Sequence, residues 1–323
     1  MTVTRRTLAV ATAGLALPAV ARAQDWPNGA IRIIVPFAAG GSTDAVARLA
    51  APGLTQRLGV PVVVENRSGA AGSLGTHAVA QARPDGQTWL LTFDSHATLP
   101  ALLPNLPFNL TRDLEPVLLI GGAPYVIATR PDKPYRSLQD IVAAARARPD
   151  AINYGSTGNG TIGHLTMILL GNRAEIRMAH LPYRGGGLAV NDTVAGHVEM
   201  MIGSAALVAP QISAGNLRPV VQFGPERLPA LREVPTAAES GFPGLEAEAW
   251  WGVFAPRGTP AAAKQRMQQA LTESFREERV SRTMTETQQA RLVLAGPEDF
   301  AKFLERQIET WGGVVRNHNI QAD

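Results

Sequence analysis

Apolar positions along this chain alternate between two rhythms. Ile31 to Pro36 is a short β-branched run that ends in Phe37-Ala38-Ala39-Gly40-Gly41-Ser42-Thr43-Asp44, after which Ala45, Val46, Leu49 and Leu54 recur at helical spacing. This predicts a strand, a glycine turn and a helix. Pro61 to Glu65 repeats the arrangement, with a glycine-rich turn over Ser68 to Gly75 and a helix through Ala80, and Trp89 to Phe93 supplies a third strand. Strands that alternate with helices argue for βαβ units, a mostly parallel sheet and right-handed crossovers.

A second block has the same grammar. Val117 to Ile120 and Tyr125 to Thr129 read as two strands, and Ser137-Leu138-Gln139-Asp140 as a capping box that opens a helix. Ile152 to Tyr154 leads into the glycine-rich stretch Gly155 to Gly160 and a helix through Leu170. A helix over Leu188 to Ala195 and strands at Val198 to Ile202 and Arg218 to Phe223 follow. After a Pro/Gly-rich connector from Pro225 to Gly244, Trp250 to Ala255 resumes a strand. Thr259-Pro260 caps a helix running past Phe275, and a final helix follows Gly296-Pro297. In a strand the side chains of Trp250 and Trp251 face opposite ways, so one is expected in the core and the other on a cleft. The expected fold is α/β with two blocks, the chain returning to the first after the second.

Two loops are candidates for holding an anion, because each follows a strand and opens a helix, where backbone N–H groups lack partners and the helix dipole favours negative charge. They are Ala39 to Thr43 and Gly155 to Thr161. Any βα unit also uses Gly and Ser simply to turn and cap. Asp44, two residues after Ser42, reads as a capping residue. His96, beside Ser95 after the third strand, and His164 lie next to these loops. Pro182-Tyr183-Arg184-Gly185-Gly186-Gly187 offers a ring, a cation and free amides together, or a plain surface turn.

Enzyme motifs on the same loops fall short. Gly158 to Gly163 spells GxGxxG, but its strand is short and half polar and no acid lies about 20 residues on. Gly155 and Gly160 have P-loop spacing, yet Thr161 stands where the Lys is required. Ala71 replaces the first Gly of a GxSxG elbow around Ser73. No pair of the six histidines has HxH or HExxH spacing, so neither metal nor cofactor is expected.

With 45% hydrophobic and 18% charged residues, the 323-residue chain can fill two globular cores. The absence of cysteine excludes disulfides, thiolate metal sites and a Cys nucleophile. A net charge of +3 would make a nucleic acid worth considering. The first 23 residues change that. Arg5-Arg6, a mildly apolar run through Val20 and Ala21-Arg22-Ala23 read as an export signal of twin-arginine type, cleaved near Ala23, with an ordinary secretory signal as the alternative. The apolar run is short of the ~20 residues that span a bilayer. Arg5, Arg6 and Arg22 are the segment's charges, so from Gln24 onward 27 basic residues face 27 acidic ones. No nucleic-acid partner is expected, and the location expected is the periplasm.

The order of motifs resembles a known family across essentially the whole mature chain. Ile33 to Phe37 with Gly40, Gly41 and Asp44, Val62 to Arg67 with Gly69 and Gly72, and Pro84-Asp85-Gly86 look like the start of the Bug (TctC-type) extracytoplasmic solute receptors. Leu106-Pro107-Phe108, Asn153 to Ser156 with Gly158, Gly160 and His164, Pro182 to Gly185, Asp192, Pro235-Thr236 and Trp250 with Gly252, Pro256, Thr259 and Pro260 continue in that family's order. Single pieces are weak signals; the ordered set is specific.

The resemblance implies a non-enzymatic, two-lobed periplasmic binding protein of the Venus-flytrap kind, each lobe a mixed, mostly parallel sheet flanked by helices. Lobe 1 would comprise residues 24–122 and 247–323, and lobe 2 residues 123–246. It implies a monomer that binds a small carboxylate without a cofactor and serves two membrane subunits of a tripartite tricarboxylate-type transporter. A receptor for a sensor kinase and an exported α/β enzyme, nucleotide-dependent or hydrolytic, are the alternatives. Carried over by residue, the ligand site would use Phe37, Ala39, Gly40, Gly41 and Ser42 on one side, with Ser95 and His96 as further candidates from their place beside the loop. Ser156, Thr157, Gly158 and Asn159 would face them, with Tyr183, Gly185 and Asp192 as further candidates on that side. The chain departs from the family pattern at Leu99 to Leu103, at Leu188 and at Met201-Ile202-Gly203-Ser204, where Gly203 stands for a frequent acid. These departures favour a monocarboxylate or an apolar or aromatic acid.

Overall fold

The computed structural model describes residues 26–321. The export segment expected over residues 1–23 lies outside them. In the first lobe, β1 (Ile31–Val35), α1 (Ser42–Leu58), β2 (Val62–Asn66), α2 (Ser73–Ala80) and β3 (Thr88–Phe93) follow the expected grammar. β1 lies between β2 and β3, parallel to both. Ile31, Ile33, Ile34 and Val35 are buried, and α1 covers the sheet with Val46, Ala47, Ala50 and Leu54. Two short helices, α3 (Leu99–Leu102) and α4 (Leu110–Asp113), lead into the longest strand.

That strand is a correction to the sequence reading. The two strands expected around residues 117–129 are one 16-residue strand, β4 (Leu114–Thr129). Gly121 and Gly122, between the two expected strands, let neighbouring strands pass close together. A Cβ on Gly121 would stand 2.1 Å from the Arg291 carbonyl oxygen, and one on Gly122 2.6 Å from that of Ala249. The bulges in this pairing lie between Pro116 and Leu118 and between Leu119 and Gly121, and such irregularities bend and twist a strand.

The second lobe contains α5 (Leu138–Ala147), β5 (Asn153–Ser156), α6 (Ile162–Ala174), β6 (Ala179–Pro182), α7 (Gly186–Ala195), β7 (Met200–Ser204), α8 (Ala205–Ser213) and β8 (Arg218–Gln222). β6 and α8 were not read from the sequence. The capping box is present: Asp140 N–H donates to Ser137 Oγ at 3.2 Å, and Ser137 N–H to Asp140 Oδ2 at 2.9 Å. The chain then returns through β9 (Glu248–Pro256), α9 (Ala261–Arg276), α10 (Glu278–Arg282), β10 (Arg291–Ala295) and α11 (Pro297–Asn317).

The strand order β2-β1-β3-β9-β4-β7-β5-β6 makes one curled mixed sheet. The first half of β4 pairs antiparallel with β9 and β10, its second half with β7 and β8. Thus β4 carries the chain out of the first lobe and β9 carries it back. Trp250 and Trp251 do face opposite ways, but both are buried. Trp251 packs with its ring 5.7 Å from Phe93, and Trp250 meets Phe300 and Phe303 under α11.

Candidate functional site

A cavity of about 430 Å³ opens between the lobes. The first lobe contributes the loop from Phe37 to Thr43 together with Phe93 and Ser95. The second contributes Tyr125, Thr157, Thr161, the turn from Arg184 to Leu188, Asn191, Ser204 and Leu207. No aspartate or glutamate side chain lines it among the described residues.

The Phe37–Thr43 loop is held from behind. Asp44 is buried, and its carboxylate accepts from the Gly40 N–H, from Arg48 Nε and from Asn66 Nδ2, each at 3.0 Å. Asn66 Nδ2 also donates to the Phe37 carbonyl at 3.1 Å. Burial pushes the Asp44 carboxyl up, but Arg48, the Gly40 amide and Asn66 together outweigh it and hold the group below its ordinary value. Asp44 is therefore an anchor turned away from the cavity. The cap of α1 is Gly41, which has no side chain to fold back on the helix, and Ser42 is its first residue. The first-turn amides consequently remain open toward the cavity. Phe37 and Phe93 meet edge to face with centroids 6.3 Å apart and form an apolar wall beside them.

The opposing turn has a related construction. β6 ends at Pro182, and Gly185 caps α7 at φ 128°, a backbone conformation that favours glycine. Again no side chain caps the helix. Tyr183 and Asp192, both expected to touch ligand, instead clamp this turn: Tyr183 Oη donates to Asp192 Oδ2 at 2.7 Å. Burial, then Asp192, raises the Tyr183 phenol to about 12, while Tyr183 and His197 hold the Asp192 carboxyl below its usual range. Neither residue lines the cavity. Arg184, on the clamped turn, lines it and has no ion-pair partner among the described residues.

The glycine-rich stretch before α6 behaves differently. Gly158 N–H donates to Ser156 Oγ at 3.2 Å, Gly160 N–H to His164 Nδ1 at 3.0 Å, and Thr161 caps α6 by accepting from the His164 N–H. Ser156 is fully buried, with Oγ 2.7 Å from His180 Nε2. The His180 ring stacks on His164 at 3.8 Å. Burial, followed by the neighbouring His164, pushes His180 down to about 3 and keeps it neutral. Of the residues expected here, Thr157 lines the cavity, together with Thr161; Ser156, Gly158 and Asn159 do not.

The floor joins the lobes. Tyr125 Oη donates to Asp94 Oδ2 at 2.5 Å. Both are fully buried; burial raises the Asp94 carboxyl to about 8, and burial with Asp94 beside it raises Tyr125 well above the usual phenol range. Ser95 lines the cavity. His96, the next residue, lies in the core with its ring 4.9 Å from Phe254, and burial depresses it to about 3. It does not reach the cavity wall. Phe37, Ala39, Gly40, Gly41, Ser42 and Gly185 do. The wall residues Phe93, Tyr125, Asn191 and Leu207 carry no local sequence signal, and Ser204 showed only as part of a departure from the family pattern; the fold assembles them.

Residues 46–320 match the model of the tripartite tricarboxylate transporter family receptor. The chain belongs to this family. The receptor is 36% identical over 309 residues to protein BugT of Bordetella pertussis, which covers 95% of this chain and 94% of that relative. Among solved structures, it resembles a protein of R. palustris solved with adipate, at 30% identity and a TM-score of 0.87, covering 92% of this chain and 99% of that one. It also resembles MatC from Rhodopseudomonas palustris with bound malate, at 31% identity and a TM-score of 0.83, covering 90% and 100%. The receptor is thus a periplasmic solute-binding protein and not an enzyme.

Proposed function

We propose that this receptor binds a small carboxylate in the cavity between its lobes and delivers it to the two membrane subunits of a tripartite tricarboxylate-type transporter. One observation carries the reading: the uncapped amide ends of α1 and α7, one from each lobe, meet on a cavity where, among the described residues, Arg184 has no ion-pair partner and no acidic side chain lines the wall. Amide ends and a guanidinium attract an anion, and charge-assisted hydrogen bonds to a carboxylate are the strong kind. The adipate and malate of the two solved relatives are anions of this class.

Residues 24–122 with 247–323 form one lobe in this reading and residues 123–246 the other, with bending at the crossings near 122 and 246. An anion touching both helix ends draws the lobes together. Moving such an equilibrium from 1:99 to 99:1 takes about 5.5 kcal/mol of differential binding, less than the ~8 kcal/mol of a micromolar site. The receptor acts as a monomer, after export and cleavage near Ala23. Calorimetry of the mature protein against small mono-, di- and hydroxycarboxylates tests the site, and heat from none of them overturns it. Co-purification with the membrane subunits tests delivery.

A further inference from the structure

Ser95 and Ser204 stand apart among the cavity residues. They are 3% and 2% exposed, both line the cavity, and each Oγ is buried with no hydrogen-bond partner among the described residues. Ser204 immediately precedes α8, where a serine ordinarily accepts from the first turn, yet its side chain makes no such bond. The two come from different lobes and converge on Tyr125. That residue pairs with Ser204 across β4 and β7 and donates to Asp94, the residue before Ser95. A buried hydroxyl without a partner is costly, and a ligand atom that accepts from it recovers that cost on binding.

We propose that Ser95 and Ser204 are the receptor's specificity pair, recognising a second oxygen function, hydroxyl, carbonyl or carboxyl, on the far end of a carboxylate ligand and discriminating against a hydrocarbon or an ammonium there. This rests on the carboxylate reading of the cavity and departs from the apolar or aromatic acid expected from the sequence, because that expectation did not include the buried hydroxyls of Ser95 and Ser204. Discrimination against hydrocarbon follows because an apolar end leaves both hydroxyls buried and unpaired. Discrimination against ammonium follows because no acidic side chain lines the cavity among the described residues. Asp94 does not substitute for one: it is fully buried, its Oδ2 is taken by Tyr125, and burial holds it protonated near neutral pH. The apolar walls of Phe37, Phe93, Leu188 and Leu207 then enclose the carbon chain between the two polar ends.

Two matched series test the pair by calorimetry on the mature protein. Butanoate, 4-hydroxybutanoate, succinate and 4-aminobutanoate differ only at the terminal carbon; hexanoate, 6-hydroxyhexanoate, adipate and 6-aminohexanoate extend the reach. An oxygen-terminated member is expected to bind at least roughly tenfold more tightly than the methyl- and ammonium-terminated members of its series. In the double variant Ser95→Ala/Ser204→Ala that gap closes. The ligand-free variant melts at the same temperature or higher, because it has lost two unpaired buried hydroxyls. Equal binding across a series, preference for the amine, or a gap that survives in the double variant overturns the proposal while leaving the carboxylate reading intact. Binding of no member of either series overturns both.

Discussion

The N-termini of α6 and α7 look alike in sequence and do different work. Each opens after a short parallel strand and a glycine-rich turn, within one lobe. Before α6, the turn contains side chains that reach its own amides: Ser156 takes the Gly158 N–H, His164 the Gly160 N–H, and Thr161 caps the helix. Before α7, the positions that could cap are glycines, and Tyr183 is engaged by Asp192. The first end is closed on itself; the second stays open and faces the equally uncapped end of α1 across the cavity. A glycine turn before a helix is thus an anion site only where the neighbouring side chains leave its amides alone.

The sharpest way to break this contrast is to remove the open donors. Proline suits the first position of a helix, and the extended Gly41 before it, with ψ at 170°, accepts it. Ser42→Pro combined with Arg184→Gln is expected to weaken carboxylate binding roughly hundredfold with little change in melting temperature, since charge-assisted bonds contribute about 1.5–3 kcal/mol. Retained affinity in titration calorimetry would sink the open-end reading.

A pH series separates the closed end from the floor. His180 beneath the α6 turn and His96 in the core are both depressed from 6.5 to about 3. The unfolded chain therefore binds more protons than the native one below pH 6.5, and stability falls as pH drops from there toward 3. Asp94 is raised from 3.8 to about 8, so its contribution is complete below pH 3.8 and is lost as pH rises through 8. Stability should peak near pH 6.5, and the loss of the Asp94 contribution lowers it from there to about pH 8 by about 1.4 kcal/mol per pH unit. Denaturant midpoints across pH 4–9 check this. Asp94→Asn should flatten the alkaline limb, and an unchanged limb in that variant refutes the assignment.

Ser156→Ala probes the closed end directly. It should cost about 1 kcal/mol of stability through the bonds lost to His180 and Gly158, while affinity stays within about twofold. A large loss of affinity at native stability would make the α6 turn a ligand contact after all. The smallest effect belongs to Tyr183→Phe, which frees the α7 turn from Asp192. A fall in affinity of about threefold, with a faster dissociation rate by stopped flow, is expected from the loss of one hydrogen bond.

Much of this site was legible. The Phe37–Thr43 loop announced itself through β-branched residues, paired glycines and a helical repeat in direct succession, because the interactions that shape it are local. Arg184 and Gly185 were visible as a turn with a cation. The choice between the two second-lobe turns was not, since it depends on His180, contributed by β6, and on Asp192, about two turns into α7. Leu207 was silent because a small apolar stretch in a short helix looks the same whether or not it borders a cavity, and Ser204 showed only as a departure from the family pattern. The long β4 was read as two strands with Gly121, Gly122 and Pro124 in the gap between them; only the contact with β9 and β10 shows that the two glycines make room.

The sequence by itself determined the α/β grammar, the family pattern and the balance of charge from Gln24 onward, because these depend on periodicity, local order and composition. The tertiary structure alone decided which amides remain open, where the one cavity wall meets the other, and that two serines from different lobes are buried without partners. A hydrogen-bond donor is spent or free according to what the rest of the fold brings within about 3 Å of it, and no local pattern carries that information.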